Sequence, residues 1–151
     1  MTIWMTIYFY TAQEKPYGCF SNFSAHGFKL NNYWWHTSEH YFQAQKFVDT
    51  DLNWFHKMRT VKTPKDVAKM GRNRQHPIRT DWEQTKEEIM YRAVLTKFTN
   101  HEDIKHILID TGEQLIVENS PIDYYWGCGK DGTGKNKLGE ILMQVRKTIS
   151  K

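Results

Sequence analysis

Several large function classes are excluded by what this chain has little of. It has two cysteines, Cys19 and Cys128, far apart in the sequence. They form neither a disulfide framework nor a Cys-x-x-Cys metal site. Reduced thiols fit a cytosolic protein, so a cytoplasmic location is the expectation. No apolar run approaches the roughly 20 residues of a membrane span, and no membrane partner is expected. The N-terminus, Met1-Thr2-Ile3-Trp4-Met5-Thr6-Ile7-Tyr8, carries no basic region and no small-residue cleavage site, unlike a secretory signal. Repeats and low-complexity tracts are absent as well.

Familiar catalytic signatures are missing too. There is no Gly-x-Ser-x-Gly elbow and no His-Glu-x-x-His pair. His36 and His40 are four apart, but the other histidines are scattered, so structural or surface roles are expected and no metal site. Gly132-x-Gly134-Lys135 lacks the Gly-Lys-Ser/Thr ending of a triphosphate loop. It reads as a flexible connector, with a looser phosphate contact as the alternative. Cys19 is a weak nucleophile candidate, because it would need an activating partner that sequence does not locate.

What the chain does have is rings. Six Trp, eight Tyr and eight Phe sit in 151 residues, while the mean hydropathy is only −0.73. The core must then be built from aromatic side chains, which also make walls for flat ligands. One domain spanning residues 1–151 is the expectation at this length. The net charge of +4 attracts phosphates but falls short of a dedicated duplex-DNA binder. Lys69 to Arg79 holds four cations and His76. That cluster is a solvated loop or a phosphate grip.

Local signals give an element order. Ile3 to Tyr10 reads as a strand, and Gln13 to Ser24 as a loop. Phe28-Lys29-Leu30 and Tyr33-Trp34-Trp35 flank Asn31-Asn32, a hairpin turn because Asn tolerates positive φ. Thr37 or Ser38 caps a first helix. Leu52 to Arg59 is a second. Thr63-Pro64 opens a third, which Gly71 closes. A Thr80-x-x-Glu83 capping box opens the longest helix, running to about Phe98. Glu102 to Ile109 is helical, Gln114 to Glu118 is a strand, Ser120 to Lys135 is a loop, and Leu138 to Ile149 is a closing helix. The alternation of a doubly wound sheet is missing. The expected fold class is α+β: a compact, mostly helical single domain with a small β-sheet.

Two stretches carry chemistry. Between Thr37 and Phe47, Glu39, Gln43 and Lys46 fall at i, i+4 and i+7 on one helix face. A carboxylate, an amide and an amine flanked by Tyr41, Phe42 and Phe47 suit a pocket wall better than core or solvent. The bland alternatives are a first-turn acid favoured by the helix dipole for Glu39 and a snorkelling side chain for Lys46. In the second stretch, Asp123-Tyr124-Tyr125-Trp126-Gly127-Cys128-Gly129, glycines permit close backbone approach and Trp126 offers a stacking face. Glu39, Gln43, Lys46, Asp123 and Trp126 are expected to line one pocket.

These pieces belong to a larger ordered set. It comprises Phe20-Ser21-Asn22-Phe23, Trp35-x-x-Ser38-Glu39-His40-Tyr41-x-Gln43-Ala44-x-Lys46-Phe47, Ala68-x-x-Gly71-Arg72, Trp82 with Met90, and Lys97-Phe98. Leu108-x-x-Thr111-Gly112, Glu118-x-Ser120-x-x-Asp123-x-x-Trp126-Gly127-x-Gly129, Asn136-x-Leu138-Gly139 and Met143-x-Val145-Arg146 follow. Nearly end to end, the chain resembles the NADAR family, also called YbiA-like. The resemblance implies that family's fold and an N-glycosidase needing no cofactor and no metal. The implied substrate is a phosphoribosylamino-pyrimidine of the early riboflavin pathway, split into ribose 5-phosphate and a pyrimidine. Other members resemble hydrolases that remove ADP-ribose from guanine, so an ADP-ribosyl substrate, including modified DNA, is the alternative. A non-catalytic module binding ADP-ribose or a nucleotide is a further one.

The resemblance makes Glu39, Lys46 and Asp123 the catalytic candidates. It gives Asn22, Gln43, Arg72, Trp82, Lys97, Trp126, Gly127 and Asn136 to substrate binding. Chemistry agrees with the first set. A carboxylate can stabilise the sugar cation or activate water. An amine of lowered pKa can attack C1′ of an opened sugar and form a Schiff base.

Overall fold

The computed structural model of the protein describes residues 5–151. In chain order its elements are β1 (Ile7–Phe9), β2 (Phe28–Leu30), β3 (Tyr33–Trp35), α1 (Ser38–Ala44), α2 (Leu52–Thr60), α3 (Pro64–Gly71), α4 (Trp82–Asn100), α5 (Glu102–Asp110), β4 (Ile116–Glu118) and α6 (Lys137–Ile149). Single 3-10 turns cover Tyr17–Phe20 and Gln45–Phe47. The class is α+β, as the sequence predicts. The chain divides into two units. One is Ala25–Lys97, and the other joins the described residues up to Ser24 with Phe98–Lys151.

In the Ala25–Lys97 unit, β2 and β3 form an antiparallel hairpin with Phe28 opposite Trp35. Asn31 and Asn32 have φ of 54° and 73°, the left-handed pair that a two-residue turn of matching twist requires. The hairpin presents Trp35 to a ring cluster. Trp35 meets Tyr41 at 5.3 Å and 87°, and Phe55 at 5.7 Å and 74°. Edge-to-face contacts of this kind add roughly 0.5–1.5 kcal/mol each beyond burial. The indole N–H donates to the Leu30 carbonyl at 2.9 Å, so the ring is buried without an orphaned donor. Phe28, Phe47, Met58 and Val67 complete this core, with α1, α2 and α3 packed around it.

Thr63 caps α3 through the Asp66 amide, Pro64 stands at its first turn and Gly71 ends it, all as expected. The capping box at Thr80 behaves differently. α4 starts at Trp82, and the Asp81 carbonyl accepts the amides of Gln84 and Thr85 at 3.1 Å. Asp81 is itself held by Arg79, at 2.6 and 3.0 Å. That ion pair fixes the chain's entry one residue later than Thr80.

In the other unit, β1 pairs in parallel with β4, Ile7 to Ile116 and Phe9 to Glu118. The strand expected over Ile3 to Tyr10 is shorter, and Ile3 and Trp4 lie outside the described residues. β4 likewise starts at Ile116, not Gln114, because Arg146 Nη1 takes the Gln114 carbonyl at 2.8 Å. Leu138, Ile141, Leu142 and Val145 give α6 its buried face, and α6 packs on β4 and α5. Phe9 and Phe98 flank Phe20 at 5.7 and 6.0 Å.

The cap of α1 explains His40. Thr37 Oγ1 accepts the His40 amide at 3.1 Å and lies 2.8 Å from His40 Nδ1. His40 Nε2 lies 2.9 Å from the Val61 carbonyl, which can only accept. The ring therefore carries its proton on Nε2, and Nδ1 accepts from the threonine hydroxyl. Burial lowers the His40 pKa below 6.5, with the charge of His36 acting the same way and the Val61 hydrogen bond opposing. A histidine whose folded pKa is depressed leaves stability intact above pH 6.5 and erodes it as pH falls below that value. Urea midpoints should fall between pH 7.5 and 5 in the wild type and fall less in His40→Gln. At neutral pH that variant should lose about 1–3 kcal/mol for disturbed buried partners. Equal acid sensitivity of the two proteins would contradict the assignment.

Candidate active site

Glu39, Gln43 and Lys46 come together in the Ala25–Lys97 unit. All three are buried. Glu39 stands in the first turn of α1, where the exposed amides favour a carboxylate. Gln43 follows one turn on, and its Nε2 donates to Glu39 Oε2 at 2.8 Å. A carboxylate only accepts, so this bond sets the amide's orientation. The single helix expected through Phe47 tightens after Ala44 into the 3-10 turn that carries Lys46. The Lys46 carbonyl is taken there by the Arg79 amide at 2.8 Å.

Lys46 Nζ points at the end of α3. It donates to the Gly71 carbonyl at 3.4 Å, and Arg74 Nη1 donates to the same oxygen at 2.9 Å. Nζ also lies 5.6 Å from the centre of the Trp82 ring. Trp82 is buried at the start of α4, with its ring 5.0 Å from Phe42. Burial is the main cause that brings the Lys46 pKa from 10.5 down to about 8. Arg74, Arg72 and Lys86 push it further down, and Glu39 pushes it back up. At pH 7 roughly a tenth of such an amine is neutral, against well under a thousandth for an ordinary lysine. This is the environment of amines that add to carbonyl carbon.

α1 and α3 meet closely at Gly71. A Cβ there would overlap Gln43 Oε1 and sit 2.7 Å from Gln43 Cδ. Gln43 Oε1 is buried and has no hydrogen-bond partner among the described residues. The glycine thus admits the amide that orients Glu39, and its carbonyl receives the amine. The two functions share one residue.

The remaining expected residues divide between the units. Arg72 caps α3 and is exposed, while Lys97 is buried on α4. Asn22, Asp123, Trp126, Gly127 and Asn136 belong to the other unit. Asn22 lies half-buried beside the Phe20 turn. Asp123 Oδ1 accepts the amides of Tyr125 and Trp126 at 2.9 and 2.8 Å, an arrangement that shapes the turn presenting Trp126. The carbonyls of Gly127, Tyr125 and Trp126 accept the amides of Asn136, Lys137 and Leu138 at 3.0 Å, so the loop caps α6. Asn136 has φ 53°. Its Nδ2 donates to the Ile116 carbonyl and its Oδ1 accepts the Glu118 amide, both at 2.9 Å. The structure gives its side chain to the backbone of β4.

The sequence does not single out Lys86, and Arg74 enters it only as one cation of the Lys69–Arg79 cluster. Lys86 lies four residues after Trp82 on α4, so helical spacing alone could have found it. Arg74 lies three residues after Gly71, beyond the end of α3, where no helical period applies.

The family model described as NADAR domain matches residues 8–150. An N-glycosidase of Nostoc punctiforme is 49% identical over 146 residues, covering 96% of this chain and 93% of that protein. The solution structure of the Escherichia coli protein YbiA superimposes with a TM-score of 0.90 at 41% identity, covering 99% of this chain and 88% of that one. A chloroplastic riboflavin biosynthesis protein of Zea mays is 40% identical over 88% of this chain, which spans 23% of that protein.

The Gly71–Gln43 packing is open to a double-mutant test. Gly71→Ala should destabilise the protein by about 1–3 kcal/mol through overpacking. In a Gln43→Ala background the same change should be much milder, because the obstructed side chain is gone. Additive effects on thermal or urea unfolding would show that the two residues do not act through each other.

Proposed function

The chain belongs to the NADAR family, and we propose that it is an N-glycosidase whose substrate is a phosphoribosylamino-pyrimidine of riboflavin biosynthesis. Residues 1–151 constitute one NADAR domain in this reading. The observation that carries the chemistry is the buried Lys46 amine with its pKa near 8, on one face with Glu39 and Gln43. The riboflavin assignment is supported by the name of the maize relative. The N-glycosidase class is supported by the name of the Nostoc relative.

The reaction proceeds from the opened sugar, in which C1′ is doubly bonded to the pyrimidine's amino nitrogen. Neutral Lys46 adds to C1′, and the π electron pair moves onto that nitrogen. Glu39 relays the two lysine protons in turn from Nζ to the leaving nitrogen. The C1′–N bond then breaks, the aminopyrimidine departs, and C1′ is left as a Schiff base on Nζ. Water adds to C1′, the Nζ–C1′ bond breaks, and ribose 5-phosphate leaves as the aldehyde. The sum is hydrolysis of one C1′–N bond, and the amine is regenerated. Gln43 holds Glu39 in orientation, and Trp82 supplies an aromatic wall beside the amine. Arg72 is the proposed phosphate contact, with Lys97 in reserve as a buried cation. Asp123 is assigned to the Trp126–Gly127 turn.

Two measurements test this reading. Borohydride added during turnover of the phosphoribosylamino-pyrimidine should link the sugar phosphate covalently to the wild type and not to Lys46→Ala. Release of ribose 5-phosphate should rise with pH up to about 8 and then level off. Full turnover by Lys46→Ala would remove the lysine from the chemistry. Release of sugar only from ADP-ribosylated guanine would move the assignment to that substrate. For Arg72→Ala, KM should rise more than kcat falls, as for lost uniform binding. Its pH limb should also move above 8, because a like charge beside the amine is gone. An unchanged KM would exclude the phosphate contact.

A further inference from the structure

We propose that the cavity beside the last turn of α6 binds a small oxyanion, with the open edge of the Arg146 guanidinium as its seat and Lys147 and Lys151 as flanking charges. The cavity lies in the unit that contains α5 and α6, and no group around Lys46 lines it. The inference is independent of the N-glycosidase reading.

Arg146 is a cation tied down on one side only. It belongs to the buried face of α6 and is 9% exposed. Nη1 donates to Thr111 Oγ1 at 2.9 Å and to the Gln114 carbonyl at 2.8 Å. The Thr111 hydroxyl spends its own hydrogen on the Leu108 carbonyl at 2.6 Å, so towards the guanidinium it only accepts. Both acceptors are neutral. Nε and Nη2 have no hydrogen-bond partner among the described residues, and no carboxylate of those residues stands at ion-pair distance from the group. The N–H bonds of Nε and Nη2 run side by side, the edge that takes two oxygens of one carboxylate or phosphate. Burial lowers the Arg146 pKa, and the charge of Glu113 opposes the fall. A guanidinium keeps its charge all the same, so its lost hydration calls for an anion.

The space for that anion is present. Arg146 lines a cavity of about 570 Å³ together with Glu113, Met143, Lys147, Ser150 and Lys151. That is room for an oxyanion carrying a small organic body. The lining holds three cationic side chains and one acidic one. Lys147, Lys151 and Glu113 are exposed, so they supply charge, while the buried Arg146 supplies fixed geometry. The carbonyl end of a helix ordinarily disfavours an anion. Here the Arg146 carbonyl is taken by the Ser150 amide at 3.1 Å and by Ser150 Oγ at 2.6 Å, which blunts that end. Because Thr111 and Gln114 already hold the guanidinium, its open edge is set before a ligand arrives, and binding has little ordering cost.

Titration of the intact protein at low salt with inorganic phosphate, and separately with malonate, tests the proposal by proton–nitrogen correlation NMR. The Arg146 Nε–H signal and the amides of Gly112 and Glu113 should shift saturably, with a Kd of about 1 mM or tighter for the better ligand, the scale of two charge-assisted hydrogen bonds. The ratio of the two affinities tells a phosphate site from a carboxylate site, and either order supports the proposal. Glu113→Gln should tighten binding by about two- to fivefold, and Lys147→Ala should weaken it by a similar factor, the scale of an exposed charge pair. These two variants alter exposed side chains, so they keep the test open if Arg146→Ala, which also releases Thr111 and Gln114, does not fold. An Arg146 Nε–H signal unmoved by both ligands at about ten times that concentration, or shifts confined to the surroundings of Lys46, would overturn the site. Equal affinity in the wild type and both charge variants would overturn it as well. Failure of the N-glycosidase reading looks different: no sugar phosphate is released, while the shifts around Arg146 persist.

Discussion

A buried amine cannot keep the proton affinity of an exposed one, and much of the Ala25–Lys97 unit is arranged around that fact. Lys46 sits where a helix tightens, facing a carbonyl that a second cation also occupies. Among the described residues, neither cation has a carboxylate at ion-pair distance. They share one peptide oxygen, and burial first, then the charge of Arg74, brings the amine's pKa down. Glu39, one helical stretch back, opposes the fall without cancelling it. The balance leaves an amine that titrates near physiological pH.

The close approach of α1 and α3 makes this possible. Gly71 supplies both the empty space for Gln43 and the oxygen for Lys46. Any side chain at that position would disturb the carboxylate and the amine together. A buried amide oxygen without a partner is costly.

Much of the fold was legible because it rests on local rules. Asn31-Asn32 specifies its turn by tolerance of positive φ. Thr63-Pro64 and Gly71 bound α3 by capping chemistry. Glu39, Gln43 and Lys46 were legible together because helical spacing survives even when the last turn tightens. What stayed hidden depends on side-chain contacts that no period or capping rule encodes, some local and some distant. The start of α4 is set by an Arg79–Asp81 ion pair, and the start of β4 by Arg146 from the last helix. Arg74 reaches Gly71 through the chain's path after a helix ends.

The loop that caps α6 has an electrostatic consequence. Helix starts usually attract anions because their first amides point outward without partners. Here the amides of Asn136, Lys137 and Leu138 are all directed at loop carbonyls. Their dipoles are answered within the protein, and the helix has little positive end left to offer. The glycine-rich run that leads into it, Gly132-Thr133-Gly134-Lys135, looks like a phosphate cradle in sequence but lacks the bare amides that make one. Its glycines serve the chain's own closure: Gly134 approaches the Cys128 carbonyl through a 2.7 Å hydrogen bond.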